Sequence, residues 1–397
     1  MGESDEPKSR SWNILDKISA SDYMKIVSSK NRIFYYDALR AFAIITIIAC
    51  HVSGAFNFDY IFNHSELPVL YFNCISFFNH SSQIGVPIFV MLSGALLIGR
   101  EDTLKKFLKK RVERVVIPFL FWVFILILVE IIFFNNFGLN YFLDIFLAKL
   151  KTHGHVFWFV WMIIVIYCLI FIFNKLLSLL DSKNKKYLIN ISVALFVVYC
   201  FLVTFHLWDA NQNRIIYYLS FFGYALVGHW LVNRDFLNIK YLNFKISPTI
   251  MVILSFLVAF GLYVYYTSVI CLPMAIDKNR FAGISIFDIL TLIIVLFVFL
   301  FFRYIDEIDY RSFSKKFRQS NLARLIYSLS IHSYGIYFCH YIIIVVLVTI
   351  VLQPMGFFFK NPLKIIPFLT IVYLLVSWII VYLLGKIPYL KMLCGKG

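Results

Sequence analysis

Apolar runs about twenty residues long recur throughout the chain, and they restrict its fold more than any other feature. "VVIPFLFWVFILILVEIIFF" (Val115–Phe134) holds a single charged residue, and "IIIVVLVTIVL" (Ile342–Leu352) holds none. About 20 such residues, wound into an α-helix at ~1.5 Å each, cross the ~30 Å hydrocarbon layer of a bilayer. The sequence predicts ten spans, at 35–56, 77–99, 115–135, 155–174, 187–206, 214–232, 248–268, 284–304, 325–352 and 363–385. The expected fold class is all-α, a polytopic membrane helix bundle. The second span is the most polar, because Asn79, His80, Ser81, Ser82 and Gln83 occupy its first turns.

Charge orients the bundle. With the N-terminus placed in the cytoplasm, segments on the inner side hold 29 of the 37 lysines and arginines, outer segments hold 7, and Arg40 lies inside the first span. Cytoplasmic loops of membrane proteins collect these residues, so a multi-pass cell-membrane protein with both termini in the cytoplasm is expected. The same bias accounts for a formal charge of +16. No stacking groove or recognition helix is readable, so the charge does not point to nucleic acid. Composition agrees, since 61% of residues are hydrophobic where a soluble domain is near half.

Three stretches follow from the runs: a polar cytoplasmic segment at 1–34 with loose helical spacing suited to the membrane surface, a membrane domain at 35–390, and a short tail at 391–397. The first apolar run reads as a retained anchor rather than a signal peptide. Outer loops are short and no internal repeat is visible, so any chemistry belongs within the bundle or at its mouth. Cys50, Cys168, Cys200 and Cys339 fall in apolar runs and read as small core residues. Cys74 and Cys271 fall in outer loops and read as separate free thiols rather than a pair. No CxxC pair occurs, and no metal site is expected.

Ionisable groups inside a membrane are expensive and point to function. The first span, "YYDALRAFAIITIIACHVSG" (Tyr35–Gly54), carries Asp37, Arg40 and His51. Arg40 and His51 are 11 residues apart, which is about three helical turns, so both point the same way across a rise of ~16 Å. Asp37 is one turn before Arg40, where it can pair with the guanidinium and fix its direction. The stripe suits an elongated anion entering from the cytoplasm, its charged head at Arg40 and its reactive tail at His51. Acyl-coenzyme A has that shape. The alternative at this point is an interfacial anchor at Arg40 and a structural hydrogen bond at His51.

Further along, Arg111 and Arg114 open the third span at i,i+3 and are expected to share a face. Paired guanidinium groups at a membrane mouth are suited to phosphate, although ordinary cytoplasmic charge gives the same pattern. "THGHVFWFVWMIIVIY" opens the fourth span with His153, His155, Trp158 and Trp161, which can contact a sugar or form an interfacial aromatic belt. His340 lies in the outer half of the ninth span, and His332, eight residues before it, makes no metal spacing with it. Glu130 and Asp288, near the outer ends of their spans, could each assist His51.

Taken together, these residues resemble the acyltransferase-three family of integral membrane O-acyltransferases. The resemblance rests on Arg40 and His51 with ten residues between them, on "VPIFVMLSGALL" ending near Ser93-Gly94, and on the Arg111/Arg114 pair. It also rests on "HVFWFVWMIIVIY", which departs by a Val-Phe where the family usually has Leu, and on "YSLSIHSYGIYFCH" ending at His340. It covers about 36–390 and is most similar to compact, stand-alone members that acetylate envelope polysaccharides or their lipid-linked precursors.

The resemblance implies an acyl-coenzyme A donor, acetyl-CoA or another, on the cytoplasmic side. It implies an outward-facing glycan or lipid-linked glycan acceptor, with membrane lipid as the surroundings. Candidate catalytic residues are then His51, as general base or acyl relay, and Asp37. Donor-binding candidates are Arg40, Arg111, Arg114 and Ser93, and acceptor-binding candidates are His155, Trp158 and His340. A multi-span transporter using the same Arg40–His51 stripe is the alternative function.

Overall fold

Each predicted apolar run contains a helix. The computed structural model describes residues 33–63, 75, 77–79, 82–134, 157–208, 213–239, 244–271, 286–308, 317–318, 320–347, 361–388 and 390–394. The chain opens with α1 (Phe34–Asn63), a 3-10 turn (Ser82–Ile84) and α2 (Gly85–Leu97). The basic helix α3 (Leu104–Arg111) runs through a π-turn (Val112–Val116) into α4 (Ile117–Phe134). Then come α5 (Trp158–Ser178), α6 (Ser182–Thr204) and α7 (Arg214–Val232). A two-residue antiparallel ladder, β1 (Asn238–Ile239) with β2 (Phe244–Lys245), leads to α8 (Pro248–Tyr265) and a second π-turn (Tyr266–Cys271). The last elements are α9 (Ile289–Ile305), α10 (Asn321–Leu347), α11 (Pro362–Leu384) and a 3-10 turn (Lys391–Cys394).

Helix starts are set by side chains that take up otherwise orphaned N–H groups. Thr103 accepts from the Lys106 N–H, Asn213 from Ile215, Ser247 from Ile250 and Asp288 from Leu290. Among the described residues, seven helices are long and apolar enough to cross a bilayer by themselves. α2 and α9 are shorter, at 13 and 17 residues. The second run departs most from expectation, since α2 begins only at Gly85, after the polar residues have made their 3-10 turn.

α1 stands near the centre: 67% of its apolar window is buried inside the protein, against 17% for α6 and 22% for the α8 span. Leu39, Ile44, Ile48 and Val52 carry that burial. α1 packs on α2, α10 and α11, while α7 packs on α2 and α8 on α9. The α2–α7 contact is close because a Cβ at Gly94 would run into the Ala225 backbone, and one at Gly228 into that of Met91. Small residues at a crossing allow this approach, which is how helices gain packing energy where lipid supplies no hydrophobic drive. The outward faces of α6, α8 and α11 expose Ile191, Leu195, Phe256, Phe260, Phe368 and Ile371. Exposed apolar surface on this scale belongs against lipid, and the protein is an all-α polytopic membrane bundle. Cys168 corrects the sequence reading, because it is exposed on α5 rather than in the core. The predicted surface segment at 1–34, apart from its last two residues, and Cys74 lie outside the described residues.

Candidate functional site

The arginine side chains converge. A cavity of about 410 Å³ is lined by Arg40 from α1, Ser93 from α2, Arg100 from the turn after α2, Arg111 from α3 and Arg114 from the π-turn. The fold thus brings together all four residues expected to hold the donor, and adds Arg100. In the sequence Arg100 is one of the inner-side cations and belongs to no motif. Its turn is fixed by Gly99 at φ 85°, a left-handed backbone that glycine adopts without steric penalty. Asn174 of α5 ties the turn down: its side-chain oxygen accepts from the Gly99 N–H at 2.8 Å, and its amide donates to Leu97 O at 2.8 Å and Arg100 O at 3.2 Å.

The π-turn changes the expected relation of Arg111 to Arg114. A wider turn rotates Arg114 away from the i,i+3 face of an α-helix, yet both still reach the cavity. Arg111 is held between rings, its guanidinium carbon 4.4 Å from the Tyr167 centroid and 4.9 Å from that of Phe107. Its Nε is buried and has no hydrogen-bond partner among the described residues. Arg40 is anchored differently. Its Nη1 is 3.7 Å from Asp37 Oδ1, and the same carboxylate oxygen accepts from Ser330 Oγ of α10 at 2.5 Å. Asp37 is buried and stands about 21 Å along α1 from His51. Its carboxylate thus lies against Arg40 and Ser330. Ser93 Oγ donates to Phe89 O of its own helix at 3.0 Å while lining the cavity.

Three turns along α1 from Arg40 lies His51, half-buried. The ring facing it is His340 of α10, centroids 5.2 Å apart and planes at 45°. His340 is fully buried, with Nδ1 3.1 Å from Ile336 O. A carbonyl only accepts, so Nδ1 carries the hydrogen and Nε2 carries the lone pair. That Nε2 has no hydrogen-bond partner among the described residues. His340 was expected at the acceptor, but nothing in the sequence announced its pairing with His51, since 288 positions intervene.

The imidazole pair does not line the arginine cavity. Between them stand aromatic rings: Phe89 and Phe159 meet at 6.3 Å, Phe159 and Tyr337 at 4.8 Å, and Tyr337 and His340 at 5.8 Å. Among these, Phe89, Phe159 and Tyr337 line the cavity.

Other expected participants lie elsewhere. Trp158 packs on Tyr217 and Phe221 of α7, at 6.0 and 5.8 Å, and is not part of the cavity wall. Asp288 caps α9 and accepts from Thr204 Oγ1 at 3.3 Å, so its carboxylate closes a helix end. His332 turns its Nδ1 to Ser328 O at 2.7 Å and its ring to Tyr382. His153, His155 and the Glu130 side chain lie outside the described residues. Among the described residues, no group of three or more His, Cys, Asp or Glu side chains gathers as a metal site would require. A larger cavity of about 550 Å³ lies against the far side of α1, lined by Phe42, Ile45, Ala49, Phe256 and other residues without a charged group. It offers no chemistry, which leaves the arginine cavity and the imidazole pair as the candidate site.

A family model, acyltransferase 3, described as an acyltransferase domain, matches residues 33–382. No curated protein and no solved structure matches the chain significantly.

Proposed function

The chain belongs to the acyltransferase 3 family, and from that premise we propose that it moves an acyl group, acetyl first, from acyl-coenzyme A to a hydroxyl of an envelope glycan or lipid-linked glycan. The observation that carries this reading is the convergence of Arg40, Arg100, Arg111 and Arg114 on one cavity whose far wall is one ring away from the imidazole pair. Several guanidinium groups in a confined space fit phosphates, because each offers planar, always-charged donors. The unpartnered Nε of Arg111 supports the same fit. In this reading the protein sits in the cell membrane with its arginine end toward the cytoplasm, as the charge bias predicts. In the same reading the acceptor reaches the half-buried His51 from the opposite end.

His51 acts as the base. Its neutral imidazole takes the hydroxyl proton as the acceptor oxygen attacks the acyl carbon. The carbon–sulfur bond breaks, and the imidazolium returns the proton to the leaving thiolate. A side chain with a free pKa near 6.5 serves both steps, and such catalysis contributes about 10²–10⁴-fold. His340 stands behind it as a second imidazole with a fixed tautomer and a lone pair on Nε2. Arg40, with Asp37 and Ser330 holding its direction, receives the phosphates together with Arg100, Arg111 and Arg114.

The test uses purified protein in detergent with acetyl-CoA and a glycan acceptor, following release of the coenzyme A thiol and the mass of the acceptor. Thiol release with a matching gain of one acyl mass is expected, and His51→Ala should reduce it by about 10²-fold or more. Transfer at the wild-type rate by the His51→Ala protein would remove the base assignment.

A further inference from the structure

The cavity of about 550 Å³ is walled by α1, α8, α9 and α11. Rings close its two ends. Phe42 meets Phe302 at 5.4 Å and Phe256 meets Phe301 at 6.1 Å at one end, and Phe77 meets Tyr263 at 4.7 Å at the other. Between them α1 and α8 present small side chains, Thr46, Ala49, Ser255 and Ala259, all of them buried. The rim differs: Phe256 and Phe260 of α8 and Ile371 of α11 are about half exposed, on the faces that lie against lipid. The space is thus a groove that opens sideways into the bilayer. It runs along the helices, since Ser255 to Tyr263 and Ile294 to Phe302 each cover about 12 Å of rise. Phe42 comes two residues after Arg40 and Ala49 two before His51, about 200° around the helix in each case. The groove therefore lies on the opposite side of α1 from the arginine cavity and the imidazole pair.

A space of this size calls for an occupant. Protein interiors are close-packed, with few voids larger than a water molecule, and an apolar cavity of about 150 Å³ already takes up an apolar ligand. Water suits the groove badly, because a buried water needs about two to four polar partners. Thr46 Oγ1 donates instead to Ala43 O at 2.9 Å, Thr370 Oγ1 to Ile366 O at 2.7 Å, and the Tyr263 hydroxyl to Phe77 O. Ser255 Oγ is left without a partner among the described residues, and none of the described lining residues is charged. We propose that the groove is a lipid site, which holds one hydrocarbon chain of a bilayer phospholipid against the back of α1. Such chains meet the exposed rim directly and match the apolar wall. A substrate tail in the same place would leave its head group behind α1, away from His51, so the occupant belongs to the membrane and not to the reaction. The chain fills the gap between the small side chains of α1 and α8, and the bilayer becomes a brace for the helix that carries Arg40 and His51.

The experiment places the full chain in vesicles of phosphatidylethanolamine and phosphatidylglycerol, with some of the phosphatidylglycerol carrying a photoactivatable diazirine in its acyl chain. After illumination, labelled residues are located by mass spectrometry of peptides. Ile191 and Leu195 of α6 are exposed, meet bulk lipid in any case and serve as the reference. Label is also expected on Thr46 and Ala49 of α1, which are buried and within reach only of a chain inside the groove. Ser255→Leu and Ala259→Phe fill the groove from the α8 side and should each lower the α1-to-α6 label ratio at least about fivefold. That ratio is taken within one sample, so the yield of reconstituted protein cancels. Wild-type protein labelled on α6 but not at Thr46 or Ala49 would overturn the lipid site without recourse to any variant. An α1 label that both filled variants retain would overturn it as well. Loss of the α1 label on adding a long-chain polyprenyl phosphate, where the same amount of unlabelled phosphatidylglycerol leaves it in place, would assign the groove to an isoprenoid tail and overturn the phospholipid.

Discussion

Arg111 offers the sharpest test of how the donor is held. Two rings fix its guanidinium plane, at 4.4 and 4.9 Å, whereas Arg114 is exposed and carried on the π-turn. A pre-organised cation loses little freedom when it grips a ligand. Replacing Arg111 with alanine removes one or two charge-assisted hydrogen bonds to phosphate, together about 1.5–3 kcal/mol. At ~1.4 kcal/mol per factor of ten, KM for acetyl-CoA should rise roughly 10–100-fold. The imidazole pair is untouched, so kcat at saturating donor should change less than about threefold, the pattern of lost uniform binding. Arg111→Lys keeps the charge but neither the stack nor the fork, and should fall between the two proteins. Arg114→Ala should raise KM less than Arg111→Ala does. The assay is initial-rate thiol release across donor concentrations, repeated at low and high salt, where screening should weaken wild-type binding more than that of the variant. Loss of kcat at unchanged KM would refute the donor-binding assignment of Arg111.

The other expectations are local. Asn174→Ala removes three hydrogen bonds from the Gly99 turn and should lower stability by about 1–3 kcal/mol, seen as a lower Tm in detergent, with a raised donor KM because Arg100 loses its mount. Gly94→Val drives a side chain into the Ala225 backbone and should cost at least about 1–3 kcal/mol, or abolish folded yield; a Tm equal to wild type would contradict the close α2–α7 crossing. Asp37→Asn keeps an acceptor for Ser330 but releases Arg40 from its ion pair, so donor KM should rise several-fold while kcat holds, measured in the same assay.

The positions of the helices were legible because lipid leaves a plain mark: each membrane-crossing run must be apolar for about 20 residues. The pairing of faces was less legible for the same reason. On a soluble helix the polar side points outward and the apolar stripe marks the core, but here both sides are apolar. Only residues too costly to leave in lipid reveal an inner face. Arg40 and His51 did so on α1, and the fold sets Arg40 against the cavity and His51 against His340. Cys168 did not, and a residue in a uniformly apolar run proved to be exposed. Asp288 was ambiguous in the sequence because a carboxylate at a helix start serves as a cap as readily as a catalyst, and here it caps α9. The π-turn between Arg111 and Arg114 has no sequence signature in this chain, and the contact of the Phe89, Phe159 and Tyr337 rings has none either, since phenylalanine is frequent everywhere in it: 44 of 397 residues.

That abundance bears on how the site is built. A guanidinium near hydrocarbon must be compensated, and this protein uses rings as well as acids to do so. Asp37 answers Arg40, while Phe107 and Tyr167 answer Arg111. A ring face attracts a cation yet remains acceptable beside lipid, and it leaves the N–H groups available, which a carboxylate partner would occupy. A second acid beside Arg111 would hold the guanidinium equally well and compete with the phosphate it is proposed to receive. The same chemistry one level further in gives the opposite result. Phe89, Phe159 and Tyr337 have no cation among them and pack on one another. A single residue class thus holds the cations at one level and packs as an apolar layer at the next, with the difference set by whether an arginine lies among the rings.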